Sequence, residues 1–152
     1  LIPVVILKAS AGDDIPLYGD GLNVRDWLYV EDHVDALLLA ACRGENGRSY
    51  CVGGHGEATN RDVVETICRE LDQRQTRASS HLELIKRVTD RPGHDRRYAI
   101  DPTRISTELG WHPRHNFSEG LKATVAWYLD NTAWCQQVRD NAGYKGERLG
   151  VK

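Results

Sequence analysis

Methionine is missing from this chain altogether, phenylalanine occurs once, and aromatic residues make up 7% of its 152 residues. No two of its four cysteines, Cys42, Cys51, Cys68 and Cys135, form a C-x-x-C pair, which excludes a zinc ribbon and a thioredoxin-type redox motif. Free thiols, mostly buried and kept reduced in a cytoplasm, are the expectation instead. A large charge excess is also absent: 20 Lys and Arg against 22 Asp and Glu leave a net charge of -2. Such a chain has no broad field to draw nucleic acid or an anionic membrane, although a local basic cluster is still able to hold a small anion. No apolar run approaches the ~20 residues of a membrane span. The opening Leu1–Leu7 is short and lacks a basic lead-in or cleavage site, so it reads as neither a span nor a signal peptide. There is no G-x-S-x-G nucleophile motif and no standard phosphate-binding glycine signature.

What is present is a regular alternation of short elements. Apolar spacing predicts a helix over residues 1–10 stopped by Ala11-Gly12-Asp13-Asp14, a strand at Ile15–Tyr18 closed by Gly19-Asp20-Gly21, and a strand over Val24–Val30. Glu31-Asp32 opens a helix whose acidic first turn suits the helix dipole. Val34, Leu37, Leu38 and Ala41 follow at helical spacing before Gly44. Ser49–Val52 reads as a strand ending in Gly53-Gly54. Thr59 or Asn60 caps a helix with Val63, Val64, Ile67, Cys68 and Leu71 as its buried stripe. Residues 72–81 read as a polar surface loop, Leu84–Val88 as a strand, Asp90–Asp95 as a charged turn and Tyr98–Ile100 as a short strand. Asp101-Pro102 starts a helix that ends at Gly110. Ser118-Glu119 precedes a long helix with Leu121, Val125, Tyr128 and Leu129 on one face, and Thr132 caps a last one. Strands alternating with helices place the chain in the α/β class. Leu1 falls inside an apolar helix with no cap before it, and no initiator methionine precedes it; we expect a piece of a longer polypeptide.

Three features carry potential chemistry. Arg25 shares a strand with Trp27 and Tyr29, Arg91 sits in a Pro-Gly turn beside His94 and Arg96, and Asn60 starts a helix after a glycine loop. A guanidinium is a planar, permanently charged fork suited to phosphate, and a helix N-terminus offers backbone N–H groups to anions. Together they are able to hold a pyrophosphate. Spacing alone equally allows Arg25 to pair with Asp26 or Asp32, Arg91 with Asp90 or Asp95, and Asn60 to act only as a cap. Gly53-Gly54-His55-Gly56 reads as a turn that needs glycine for its geometry. His112-Pro113-Arg114-His115 lacks metal-ligand spacing and an acidic partner nearby in sequence, so no metal site is expected. Glu31-Asp32 reads as a charged helix start rather than a general acid/base pair.

Four separated segments resemble the dTDP-glucose 4,6-dehydratase family of extended short-chain dehydrogenases/reductases. They are Pro16–His33, Ser49–Thr66, Asp90–Asp101 with the helix after it, and Lys122–Leu129 with the tail Gly143–Gly150. The most specific parts are Arg25-Asp26-Trp27-Leu28-Tyr29-Val30-Glu31-Asp32-His33 and Asp90-Arg91-Pro92-Gly93-His94-Asp95. The resemblance implies the C-terminal, substrate-binding side of an NAD(P)-binding Rossmann-like fold. Residues 1–152 would form the sugar-nucleotide portion, with segments at about 24–70 that complete or pack on a Rossmann domain outside the chain. It implies an NAD-dependent lyase of deoxysugar (rhamnose) biosynthesis that turns dTDP-glucose into dTDP-4-keto-6-deoxyglucose, cytoplasmic and homodimeric when full length, with no nucleic-acid or membrane partner. Carried over by position, Leu1, Pro16, Leu17, Tyr18, Arg25, Asn60, Asp90, Arg91, His94 and Tyr144 would contact the sugar nucleotide, Arg25, Asn60 and Arg91 at its phosphates. NAD would be bound mainly by residues outside the chain, because the glycine-rich fingerprint, the Tyr-x-x-x-Lys pair and the Asp-Glu acid/base pair have no counterpart here. No catalytic residue is therefore assigned. A UDP-sugar epimerase or decarboxylase, and a non-catalytic nucleotide-binding module, are the alternative readings.

Overall fold

The computed structural model describes residues 1–142. Helix α1 (Ile2–Ala11) carries Pro3 in its first turn and ends at Gly12, whose left-handed backbone (φ 80°) lets its N–H bond the Ala9 carbonyl. Strand β1 (Ile15–Tyr18) alternates buried and half-buried residues. It pairs in parallel with β4 (Ile85–Val88), Tyr18 opposite Val88. A parallel pair needs a long crossover, and the chain between supplies it. That stretch holds β2 (Val24–Asp26), α2 (Val30–Arg43), β3 (Glu57–Thr59) and α3 (Asn60–Arg74), followed by a single 3₁₀ turn at His81–Leu84. Strands β2 and β3 pair antiparallel, Arg25 opposite Ala58. After β4 come α4 (Thr103–Leu109), α5 (Phe117–Asp130) and α6 (Thr132–Ala142). Among the described residues no helix is long and apolar enough to cross a membrane.

The main core lies where α1, α3 and α5 meet β1. Val5, Ile6, Ile15, Leu17, Leu121 and Val125 close on the predicted α3 stripe of Val63, Val64, Ile67, Cys68 and Leu71, all buried. Thr59 and Asp62 form a reciprocal capping box that fixes where α3 starts. A smaller cluster joins Ala36 of α2 to Ile105 and Trp111. The outward row Val30, Val34, Leu37 and Leu38 of α2 is exposed.

Several local expectations differ from what forms. The strand expected over Val24–Val30 stops at Asp26, because its partner β3 offers only three residues. Trp27 then turns away, its backbone N–H on the Gly56 carbonyl and its indole N–H on the Ala58 carbonyl. Glu57–Thr59 was not expected to pair at all. Ser49–Val52 and Tyr98–Ile100 form no strand; Tyr50 and Val52 pack on the smaller core cluster, and the third segment of the β2 edge is a single bridge between Val24 and Arg97. The polar stretch 72–81 is not wholly a surface loop, since α3 continues to Arg74 and His81 is fully buried. Helix α5 begins at Phe117, capped by Asn116 with Glu119 reciprocating. Cys42 and Cys51 are exposed rather than buried.

Candidate nucleotide-binding site

Hydrogen bonds join Asn60, Arg25 and the Asp90–Arg96 segment beyond the carboxyl end of β1. The turn after it depends on glycine: Gly19 has φ 58°, donates to the Val88 carbonyl at 2.9 Å, and leaves no room for a Cβ, which would lie 2.8 Å from an Asp90 carboxylate oxygen. Asp20 accepts from the Leu22 N–H and pairs with Arg96 at 3.1 Å. These bonds tie the Gly19–Gly21 turn to the Asp90–Arg96 segment. The start of α3 is drawn in as well, since Asn60 N–H donates to the Asn23 carbonyl (3.0 Å) and Arg61 N–H to the Gly21 carbonyl (2.9 Å). With the Asp62 N–H on the Thr59 hydroxyl, the first N–H groups of α3 are all taken. The open helix N-terminus expected from the sequence is therefore not available to an anion, and Thr59 rather than Asn60 is the cap. Asn60 is left to act through its side chain.

Arg25 has neither of the carboxylate partners that spacing allowed. Asp26 accepts from the Gly54 and Gly56 N–H groups, both at 2.8 Å, and Asp32 is engaged by His115. The Arg25 guanidinium instead donates to the Val24 carbonyl at 2.6 Å and the Asp95 carbonyl at 2.9 Å. Its Cζ lies 4.4 Å from the centroid of the Tyr98 ring. The buried Asn23 amide shares the Asp95 carbonyl at 3.2 Å. Carbonyl oxygens and a ring face orient a guanidinium without cancelling its charge.

Arg91 joins the same neighbourhood. Its charge, like that of Arg25, acts on the Tyr98 phenol, whose proton is nonetheless held more tightly than usual because it is donated to Asp95 and because of partial burial. Asp90 does not pair with the Arg91 side chain. Its carboxylate takes the Arg91 backbone N–H (2.8 Å) and sits 2.6 Å from His94 Nδ1. The His94 bond is the main reason its carboxyl lies below the ordinary value. Pro16 and Tyr18 lie half-buried on the face of β1 opposite the core. Leu17 is 3% exposed and packs in the core beneath Gly21, so its side chain is unavailable to a ligand. Leu1 caps the start of α1, and no hydrogen bond seen among the described residues joins it to the cluster. Tyr144 lies outside the described residues. Asn23 and Tyr98 were missed by sequence reasoning; for Tyr98 the Arg96-Arg97-Tyr98 run after the Pro-Gly turn was the available signal.

The Gly53–Gly56 loop serves packing. A Cβ on Gly54 or on Gly56 would lie 2.6 Å from the Trp27 carbonyl oxygen, and the N–H groups of these two glycines are spent on Asp26. Those two N–H groups are therefore not offered to a phosphate. His115, expected to lack an acidic partner, has one: the Asp32 carboxylate, 1% exposed, lies 3.0 Å from its N–H and 3.1 Å from Nδ1. That makes Asp32 a structural tie between α2 and the segment entering α5.

Residues 1–124 match the family model described as GDP-mannose 4,6 dehydratase. A probable dTDP-glucose 4,6-dehydratase of Sinorhizobium fredii is 52% identical over 99% of this chain and 43% of its own length. The dTDP-glucose 4,6-dehydratase of Salmonella typhimurium is 53% identical over 93% of this chain and 39% of its own. The crystal structure of dTDP-glucose 4,6-dehydratase from Bacillus anthracis, in complex with NAD, matches with a TM-score of 0.77 at 45% identity, over 88% of this chain and 40% of that one. UDP-glucose 4-epimerase of Thermotoga maritima, with UDP-glucose, matches at 0.74 and 26% identity, over 86% of this chain and 40% of that one. The chain spans about two fifths of the length of the relatives it matches. It belongs to the GDP-mannose 4,6 dehydratase family, and its α/β architecture is part of the extended short-chain dehydrogenase/reductase fold.

Proposed function

We propose that, as a member of this family, the chain supplies the nucleotide-binding face of a dTDP-glucose 4,6-dehydratase. The observation that carries the reading is Arg25. Its guanidinium is oriented by two carbonyls and a ring and meets no carboxylate among the described residues. A guanidinium oriented without an ion-pair partner suits a phosphate of the diphosphate, which accepts bidentate hydrogen bonds. Identities near 50% to dTDP-glucose 4,6-dehydratases favour the thymidine nucleotide over the uridine one.

The proposed whole enzyme removes water from the hexose of dTDP-glucose to give a 4-keto-6-deoxy sugar nucleotide, with NAD as hydride carrier. The residues of this chain bind and orient the nucleotide. Hydride and proton transfer fall to a Tyr-x-x-x-Lys pair that the 152 residues do not contain, with NAD bound mainly by residues outside the chain. The exposed row on α2 is the surface we assign to the dinucleotide-binding part. The test is twofold. The 152-residue chain alone should show no turnover of dTDP-glucose, and the complete protein should bind dTDP-glucose more tightly than UDP-glucose by isothermal titration. Turnover by the isolated chain, or a clear UDP preference, would refute the reading.

A further inference from the structure

We propose that Tyr98 is a positioning residue for Arg25, setting the plane in which the guanidinium meets the nucleotide diphosphate; this rests on the nucleotide-binding reading above. Tyr98 is itself fixed at three points. Its N–H donates to the Val24 carbonyl at 3.1 Å, its hydroxyl donates to the Asp95 carboxylate, and its ring lies beneath the Arg25 guanidinium. The Asp95 backbone carbonyl takes one end of that guanidinium, and the Val24 carbonyl takes the other. Residues 95 and 98 therefore form a shelf, with Val24 closing its edge. A guanidinium lying over an aromatic face has one of its own faces covered. The two bonds to carbonyls consume one N–H of each terminal nitrogen and leave the remaining N–H donors to point along the guanidinium plane.

The arrangement has the properties of a positioning device rather than of packing. Tyr98 is 52% exposed, so little core energy depends on its ring. Its hydroxyl is spent on Asp95, so it has no spare donor aimed at a ligand. Arg25 has four rotatable side-chain bonds, and freezing such a side chain on binding costs conformational entropy. The shelf meets that cost before the nucleotide arrives.

The test is a double-mutant cycle on dTDP affinity, measured by isothermal titration in the complete protein, with thermal melts to confirm folding. Tyr98→Leu should weaken dTDP binding by about two- to fivefold, the range for an exposed cation–π contact. Tyr98→Phe keeps the ring and the Val24 bond while giving up the Asp95 tie, and should restore most of the affinity that Tyr98→Leu loses. In an Arg25→Met background, Tyr98→Leu should have no further effect. The proposal is overturned if Tyr98→Leu binds as the wild type does, if Phe fails to rescue, or if the loss persists without Arg25. Should Arg25→Met alone leave dTDP binding unchanged, the nucleotide-binding reading itself fails, which is a different result from a Tyr98 effect that is simply absent.

Discussion

Asp32, in the first turn of α2, holds His115 by its backbone N–H at 3.0 Å and faces its ring nitrogen at 3.1 Å, across 83 residues of sequence. One buried carboxylate thus stitches the α2 start to the approach of α5, the two elements that flank the Trp27–Tyr29 turn after Arg25.

Removing that carboxylate leaves a backbone donor without its acceptor in a half-buried site. Asp32→Ala should cost about 1–3 kcal/mol of stability, the range for stranding a hydrogen-bonded partner. Burial alone would raise the Asp32 carboxyl, but the bonds from His115 and the Arg114 N–H outweigh it and hold it below the ordinary 3.8. A lowered folded value means the stabilisation is complete above 3.8 and fades as the pH falls below it. Urea denaturation of wild type and Asp32→Asn should converge in strong acid and differ near neutrality.

Asp72 makes a second such tie. It accepts from the N–H of buried His81 (2.8 Å) and from Ser80, and faces the His81 ring. Against the upward push of burial these bonds bring its carboxyl down to about 2. Its contribution should therefore disappear between the ordinary 3.8 and about 2. Asp72→Asn should flatten the stability-versus-pH curve in that window, and an unchanged slope would contradict the assignment.

Thiol reactivity should divide the four cysteines. Cys42 and Cys51 are exposed, whereas Cys68 and Cys135 are buried. Burial, with the nearby charges of Asp72 and Glu65, pushes the Cys68 thiol up to about 12, which starves it of the reactive thiolate. Iodoacetamide with peptide mapping should label Cys42 and Cys51 in native protein and reach Cys68 and Cys135 only after unfolding.

Gly54 should tolerate no side chain. Its Cβ would sit 2.6 Å from the Trp27 carbonyl oxygen, with the Leu28 backbone at 3.2 Å, and backbone cannot swing aside as a flexible side chain does. Gly54→Ala should cost about 1–3 kcal/mol as an overpacking change, read as a lower melting temperature.

Local chemistry was legible wherever one segment carried its own signal. The α3 stripe, its start at Thr59 or Asn60 and the glycine turn at Gly19–Gly21 follow from spacing and residue type alone, because their partners are near in sequence. Features made by distant partners were not. Strand β3 exists only because Val24–Asp26 lies beside it. His81 is buried by α3 rather than by its own polar neighbours, and the Asp32–His115 tie joins residues 83 apart. The resemblance brought Arg25, Asn60 and Arg91 into one site; in the structure Asn60 bonds the Asn23 carbonyl and Arg25 the Asp95 carbonyl of the Arg91 loop. It did not foresee that the α3 N–H groups would be used internally, nor that Leu17 would face the core. Tyr98 was read as part of a strand, since nothing in its own segment reveals the arginine above it.

The most direct measurement is the dissociation constant of dTDP for Arg25→Ala against wild type, in the complete protein at matched ionic strength. Loss of charge-assisted bonds should weaken binding by about 1.5–3 kcal/mol, or roughly 10- to 150-fold. An unchanged dissociation constant would show that Arg25 is held in place for the fold alone, and that the nucleotide sits elsewhere.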